Sequence, residues 1–383
     1  MALLRDSPGI EREDVFLKPR ARLETGVPGF VGFADPKSPV ATRLEPFALH
    51  RKIELTDNFC CPAGGFLGDA VAAFFDNGGE RCYVVAVAGR DDTALQNGID
   101  ALAHVSDLDL VSVPDAMMLW RPDTPGTAEK VWGVQRHAVA HCAAQGDRLA
   151  ILDGLPRSDV EWLLAQRDFI VGGQSEPVNA ALYFPWLWTV DGRLMPPSGA
   201  VAGIYARSDA RIGVHKAPAN EAVIGVSDLE TDVTTAIQDR LNPQGINCLR
   251  AFPGRGIRIW GARTISRDPA WRYVNVRRLV LTLRRWIALN MAWAGFEPNG
   301  PRLWIRIERE LQGYLTGLWR AGALSGETAD AAFFVKCDAE TNPPDQRERG
   351  DVVTEIGLAP NAPAEFIVIR VTQREGVADL LPR

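Results

Sequence analysis

The chain has 383 residues, of which 46% are hydrophobic and 23% charged, a composition that excludes a disordered or fibrous protein and exceeds what one hydrophobic core usually serves. Its 42 basic residues against 48 acidic ones give a net charge of −6, which argues against a generally basic nucleic-acid binder. No run approaches the roughly 18 apolar residues of a membrane span, and the opening MALLRDSPGIERED lacks the basic-then-apolar order of a secretion signal, so assembly in the cytosol without membrane insertion is expected.

Residues 1–24 are polar and charged apart from Val15, Phe16 and Leu17, and a segment so poor in apolar surface reads as an arm outside the globular body. From Gly29 short apolar runs alternate with helical patterns. A strand over 30–33 precedes a helix over 66–75, closed by Asp76-Asn77-Gly78-Gly79, where glycine supplies a positive φ. Strands over 82–88, 108–113, 148–152 and 180–185 then alternate with helices over 93–104, 127–145 and 158–167. Near-continuous apolar strands separated by helices predict a sheet covered on both faces, hence a mixed α/β domain over 25–242. A short helix over 199–207 and another over 229–241, capped by Ser227 or Asp228, complete it, and Asn242-Pro243-Gln244-Gly245 marks the expected boundary to a second domain over 243–362.

In the second domain a strand over 257–265 leads into two helices. In the first, Val276, Leu279, Val280, Leu283 and Ile287 recur at helical spacing and form one buried stripe. Arg277 and Arg278 are each followed seven residues later by Arg284 and Arg285, nearly two turns, so all four share a flank. The second helix, over 299–319, begins at Asn299 or Gly300-Pro301 and sets Leu303, Ile307, Leu311, Leu315 and Leu318 inward, with Arg302, Arg306 and Arg309 along one side. Between Arg250 and Arg320 there are 14 arginines, Arg272 among them, no lysine and four acids, a net of +10; with −6 for the whole, the remainder carries −16. Strands over 331–336, 352–356 and 365–371 follow, and a terminal strand built of Phe366, Ile367, Val368, Ile369, Arg370 and Val371 is well placed to pair with a sheet edge on its own or another molecule.

Catalytic and cofactor motifs are absent from this pattern. His137 and His141 stand four apart with Cys142 adjacent, but the glutamate of a zinc-binding helix and a third ligand are missing. The six cysteines have no CxxC spacing and read as free thiols, the vicinal Cys60-Cys61 included. Gly254-Arg255-Gly256 opens a strand instead of a helix, so it offers no phosphate cradle, and neither Ser198 nor Ser325 sits in a nucleophile elbow. An α/β enzyme with an unrecognised site is the alternative from another class, and it rests on the architecture alone.

Several unlike segments point elsewhere. The strings GRGIRIWGARTIS, WRYVNVRR, FEPNGPRLW, GALSGETADAAFFVKCD and IGLAPNAPAEFIVIRVTQ, with GVPGFVGFAD, FFDNGGERCYVVAVAG and PPSGAVAGIYARSDARIGVHKAPAN upstream, resemble contractile tail sheath proteins in the family's order. The resemblance covers most of the chain and includes the sheaths of myophage tails, R-type tailocins and extracellular contractile injection systems; the compact length is closer to the latter two. It implies a structural, non-enzymatic subunit without cofactor that polymerises around an inner tube protein, with baseplate and tail-terminator or cap proteins as further partners and no nucleic acid. It implies that Val15, Phe16 and Leu17 and the C-terminal strand of 363–383 join neighbouring subunits. It also implies a C-terminal domain that faces the tube, for which Arg272, Arg277, Arg278, Arg284, Arg285, Arg302, Arg306 and Arg309 are the candidates.

Overall fold

The computed structural model describes residues 23–172, 178–361, 367–374 and 377–382; Val15, Phe16, Leu17 and Phe366 lie outside them. The N-terminal domain is built from β1 (Pro28–Phe33), β2 (Phe47–Leu49), α1 (Leu67–Asp76), β3 (Cys82–Val87), α2 (Asp92–Ala101), β4 (Leu110–Ser112), α3 (Thr127–Gln145), β5 (Leu149–Asp153), α4 (Val160–Val171), β6 (Ala180–Phe184), α5 (Ser198–Arg211), α6 (Thr235–Leu241), β7 (Ile246–Phe252) and β8 (Gly256–Ile259). These eight strands form its main sheet in the order β8-β7-β6-β5-β4-β1-β3-β2. The six inner strands are parallel, and the edge strands β2 and β8 are antiparallel. The period-two alternation of β1 shows why both faces need cover: Phe30 packs with α1 and α5, whereas Val31 and Phe33 pack with α2, α3 and α4. Gly199 and Gly203 let α5 press onto α1, since a Cβ at either would stand 2.3 Å from the carbonyl oxygen of Ala70 or Phe74.

Three sequence expectations are corrected here. The domain boundary does not fall at 242–245: β7 pairs in parallel with β6 and β8 closes the sheet, so residues 246–259 belong to the first domain. The strand expected over 257–265 accordingly ends at Ile259. The helix expected over 229–241 is two elements. Val226–Leu229 is a strand against Leu187–Thr189, and α6 starts only behind Thr234, whose hydroxyl accepts the Ile237 amide. Val233 and Thr234 are β-branched, which favours the extended approach to that cap.

The second domain holds α7 (Val274–Asn290), α8 (Pro301–Arg320) and a four-stranded antiparallel sheet, β9 (Phe333–Lys336), β10 (Val352–Leu358), β11 (Ile367–Arg374) and β12 (Val377–Pro382). Its core joins Leu279, Leu283 and Ile287 of α7 to Leu303, Ile307 and Leu311 of α8 and to Phe333 and Ile356 of the sheet. Trp286 and Tyr314 stack at 4.0 Å across the helix pair.

Candidate functional site

The four arginines of α7 share a side of the helix as their spacing predicts, but that side is turned into the molecule. Val274 and Leu281 belong to the core of the first domain while Val276, Leu279, Val280 and Leu283 belong to the core of the second, so α7 is sandwiched between the two. The side carrying the arginines meets the first domain. Arg278 is 3% exposed and donates to Asp209 on α5 at 2.8 and 2.5 Å and to Asp109 ahead of β4 at 2.9 Å. Asp109 also accepts the amides of Gly26 and Val27, and the guanidinium lies over the Tyr205 ring at 4.9 Å. Burial pushes the Asp209 carboxyl up despite the pull of Arg278. Arg277 donates its Nε to Asn179 at 2.6 Å and covers Trp271. Arg285 reaches the backbone carbonyls of Glu24 and Asp107 at 3.0 and 2.8 Å. Arg284 is half-buried over Gly146 at the C-terminus of α3, where a cation suits the helix dipole. Arg277, Arg278 and Arg285, each at most 6% exposed, tie the two domains into one body.

The arginines of α8 are placed as the helical period predicts. Leu303, Trp304, Ile307, Leu311 and Leu315 are buried, whereas Arg302, Arg306 and Arg309 are exposed in line. Two further links hold this helix rigidly: Trp304 donates its indole N–H to Asn299, whose amide donates to the Asp351 carbonyl, and Glu308 accepts the amide of Cys337 at the end of β9. Ile305, on the same helix, is 65% exposed, and Phe296, in the loop before the helix, is fully exposed in a left-handed conformation at φ 68°. A bulky residue in that region costs about 1–3 kcal/mol, and such strain concentrates at functional surfaces. Sequence periodicity misses Phe296, because the loop between helices carries no period. Arg272 is exposed but stands apart, on the connection between the domains, where it lines a crevice with Arg167, Arg263 and Arg267.

The terminal strand pairs within its own chain: Ile367 to Gln373 lie opposite Leu358 to Val352 of β10, and β12 forms the edge of the sheet. Ile367, Val368, Ile369, Arg370 and Val371 therefore occupy a middle strand of this subunit, and the edge is offered by residues 377–382.

The carboxyl ends of the parallel strands are where an α/β enzyme would work, and the order reverses between β1 and β4. Asp115, just beyond β4, fills that place with its own carboxylate: it accepts the amides of Phe33 at 2.8 Å and of Phe66 and Leu67 at the start of α1 at 2.5 and 3.0 Å. It thus occupies the anion position of the helix N-terminus. Asp153, at the end of β5, likewise accepts the amide of Ser198 at the start of α5, at 2.8 Å. Burial raises the two carboxyls to about 6 and about 7. A cleft of about 890 Å³ outside these ends is walled by Trp120, Trp162 and Trp186, and among the described residues its lining contains no histidine, cysteine or lysine and one carboxylate, Glu230. His137 is paired with Asp100 at 2.8 Å, and burial together with Arg148 lowers His141 to about 4. The sign at Asp153 is testable. A carboxyl whose folded value is raised binds its proton more tightly in the folded state, so its contribution to stability is lost as pH rises through about 7. Asp153→Asn keeps an acceptor for Ser198 and removes the buried charge, so the variant's melting temperature relative to wild type is expected to rise between pH 5.5 and pH 8.5.

A rigid two-domain body with a filled strand-end site, an exposed basic helix face and a strand-edged terminal sheet defines a structural assembly subunit. Residues 126–265 match the phage tail sheath protein central domain and residues 266–374 the phage tail sheath C-terminal domain. A chain of the anti-feeding prophage baseplate is 30% identical with a TM-score of 0.73, covering 97% of this chain and 100% of that one. A chain of the anti-feeding prophage helical sheath in its contracted state is 29% identical with a TM-score of 0.72, covering 97% of this chain and 100% of that one. The tail sheath protein of Vibrio phage KVP40 is 29% identical over 191 residues, 49% of this chain and 28% of the phage protein, so the match spans little more than a quarter of that relative. The chain belongs to the phage tail sheath protein family, and the division between its two family domains, at 265/266, lies beyond β8 as the sheet requires.

Proposed function

We propose that the chain is the structural subunit of a contractile sheath: it polymerises helically around an inner tube and, by contracting, drives the tube through a target envelope. The observation that carries this reading is the row of exposed arginines on α8, held by a helix whose other face is locked into the core. A rigid cationic row suits repeated weak contacts with a tube of complementary charge, each of which breaks and re-forms when packing changes. Copies of the chain, an inner tube protein, a baseplate and a tail terminator are the partners of such a subunit. Residues 1–24, through Val15, Phe16 and Leu17, and the C-terminal strands of 363–383, through the sheet edge at 377–382, link copies by edge pairing.

Negative-stain electron microscopy of the full chain, alone and co-expressed with its neighbouring genes, tests the reading: hollow striated tubules are expected, and discrete small particles under every condition would return the enzyme alternative. Removing residues 364–383 is expected to leave a subunit with wild-type helix content that builds no sheath. Normal sheaths from that truncation would sink the role given to the C-terminal arm.

A further inference from the structure

The edge of the main sheet at β8 concentrates positive charge. Residues 220–223 run along β8 and engage its outer backbone groups: Asn220 and Val223 donate their amides to the carbonyls of Ile259 and Ile257, and Ile259 donates to Glu221. The edge is therefore closed to a further strand, and what it presents is side chains. Arg250 and Arg258 stand directly opposite each other across the β7–β8 pair, with Arg255 in the turn between the strands. Like charges placed so destabilise a strand pair. Arg207 and Arg211, near the end of α5, and Lys216 beyond it continue the patch, since Arg207 donates to the carbonyl of Ala222, the residue that bridges to Arg258. These six cations have one carboxylate in reach among the described residues, Glu221, which Arg211 meets at 2.5 Å and Arg207 and Lys216 at 3.9 Å, so the patch carries +5. The hydrogen bonds of the hairpin arginines are met by neutral groups. Arg250 donates to Gln238 at 3.0 Å, Arg255 to the side-chain oxygen of Asn220 at 3.0 Å and Arg258 to the main-chain carbonyl of Asn220 at 2.6 Å. Their donors are satisfied and the side chains held in place, while their charge is not neutralised.

The opposite charge lies on the other domain. Residues 321–383 hold 11 acidic residues against 6 basic ones, a net of −5. Glu327 and Asp330, ahead of β9, and Glu340, Asp345 and Glu348, between β9 and β10, are exposed. The two surfaces match in magnitude and differ in sign, and they are different surfaces of the subunit. Contact between unlike patches on two copies leaves one of each unused, so it propagates into an open helical array instead of closing a pair. We propose that the basic edge at β8 docks on the acidic surface of residues 321–383 of a second copy; the proposal rests on the chain forming a polymer. A nucleic acid would also answer a positive patch, but the net charge of −6 and the matching acidic surface on the chain itself favour another copy. The contact joins the first domain of one copy to the second domain of the next and leaves the arginine row of α8 to the tube.

Two variants test it in the full chain co-expressed with its tube. Arg211→Gln with Arg255→Glu alters two exposed side chains, so melting temperature should stay within about 3 °C of wild type while the pelleted polymer falls by about tenfold or more. Arg255→Lys keeps the charge and the assembly and places an amine in the patch. Carbodiimide treatment of that polymer should yield covalent dimers, and mass spectrometry should find them joined from this amine to an acidic residue of 321–383. Normal polymer from the double variant would overturn the contact. So would dimers joined only at acidic residues elsewhere, or none from that amine. Nucleic acid that co-purifies with wild type and is lost from the double variant would also overturn it, making the patch a polyanion site. Failure of the wild-type chain itself to polymerise would instead remove the sheath reading on which the contact depends.

Discussion

Arg278→Met is expected to lower the unfolding free energy by about 3–5 kcal/mol, the usual cost of removing one partner from a buried ion cluster. The arginine is the one cation set between Asp109 and Asp209 in the described contacts, and it spans both domains, with Asp109 169 residues away in sequence and Asp209 69. Methionine keeps most of the volume, so the loss measures uncompensated carboxylates more than a cavity. The pH dependence separates the two. Burial already raises Asp209 with Arg278 in place. Without the guanidinium its folded value rises further, and the folded variant takes up a proton that the unfolded chain does not hold. The variant therefore regains stability as pH falls, and the difference from wild type, read by urea denaturation, should be largest near pH 8 and smaller near pH 5. A deficit that stays constant over this range would mean that Arg278 acts through its packing on Tyr205 alone.

That cluster marks where the sequence stopped being informative. The period of α8 was legible because one of its faces is solvated, and Leu303, Ile307, Leu311 and Leu315 stand against arginines as a two-sided helix requires. The same logic misassigned α7. Its arginines also fall on one side, but 13 of its 17 residues are buried, since each side meets a different core. A signal was present: the helix contains no lysine, aspartate or glutamate, whereas solvated faces usually mix both signs. What it lacked were the partners, which lie ahead of β4, on α5 and in the chain before β1. The α/β alternation was legible for a similar reason, because strands covered on both faces read as continuous apolar runs. The boundary at 242–245 was not, since Asn-Pro-Gln-Gly marks a turn equally well within a domain as between two, and only the pairing of β7 with β6 decides. The terminal strand was recognised as an apolar run, Phe366 to Val371, yet its partner was undetermined, because β10 and a neighbour's edge offer the same backbone groups.

Reversing Arg302, Arg306 and Arg309 to glutamate is the change with the largest expected effect on assembly. All three side chains are exposed, and their loss within the subunit is small: Arg306 gives up its place over Trp293, 3.6 Å away, worth about 0.5–1 kcal/mol at a surface. The variant should therefore fold with stability within about 1 kcal/mol of wild type. Its α8 face, however, changes by six charges, and every copy in a helical polymer repeats the change against the tube. Sheath-on-tube particles counted by electron microscopy should fall by about tenfold or more, and wild-type assembly should weaken as salt rises while the apolar contribution of Phe296 and Ile305 persists. The corresponding reversal on α7 would give no such information, since Arg277, Arg278 and Arg285 are held inside the subunit and their loss would unfold it. Co-assembly that continues unchanged with three glutamates on α8 would place the tube contact on another surface of the second domain, and the row would then be a solvated face. The two outcomes differ because rigidity is already provided by Glu308, Asn299 and the buried stripe, leaving the outer arginines free to act on a partner alone.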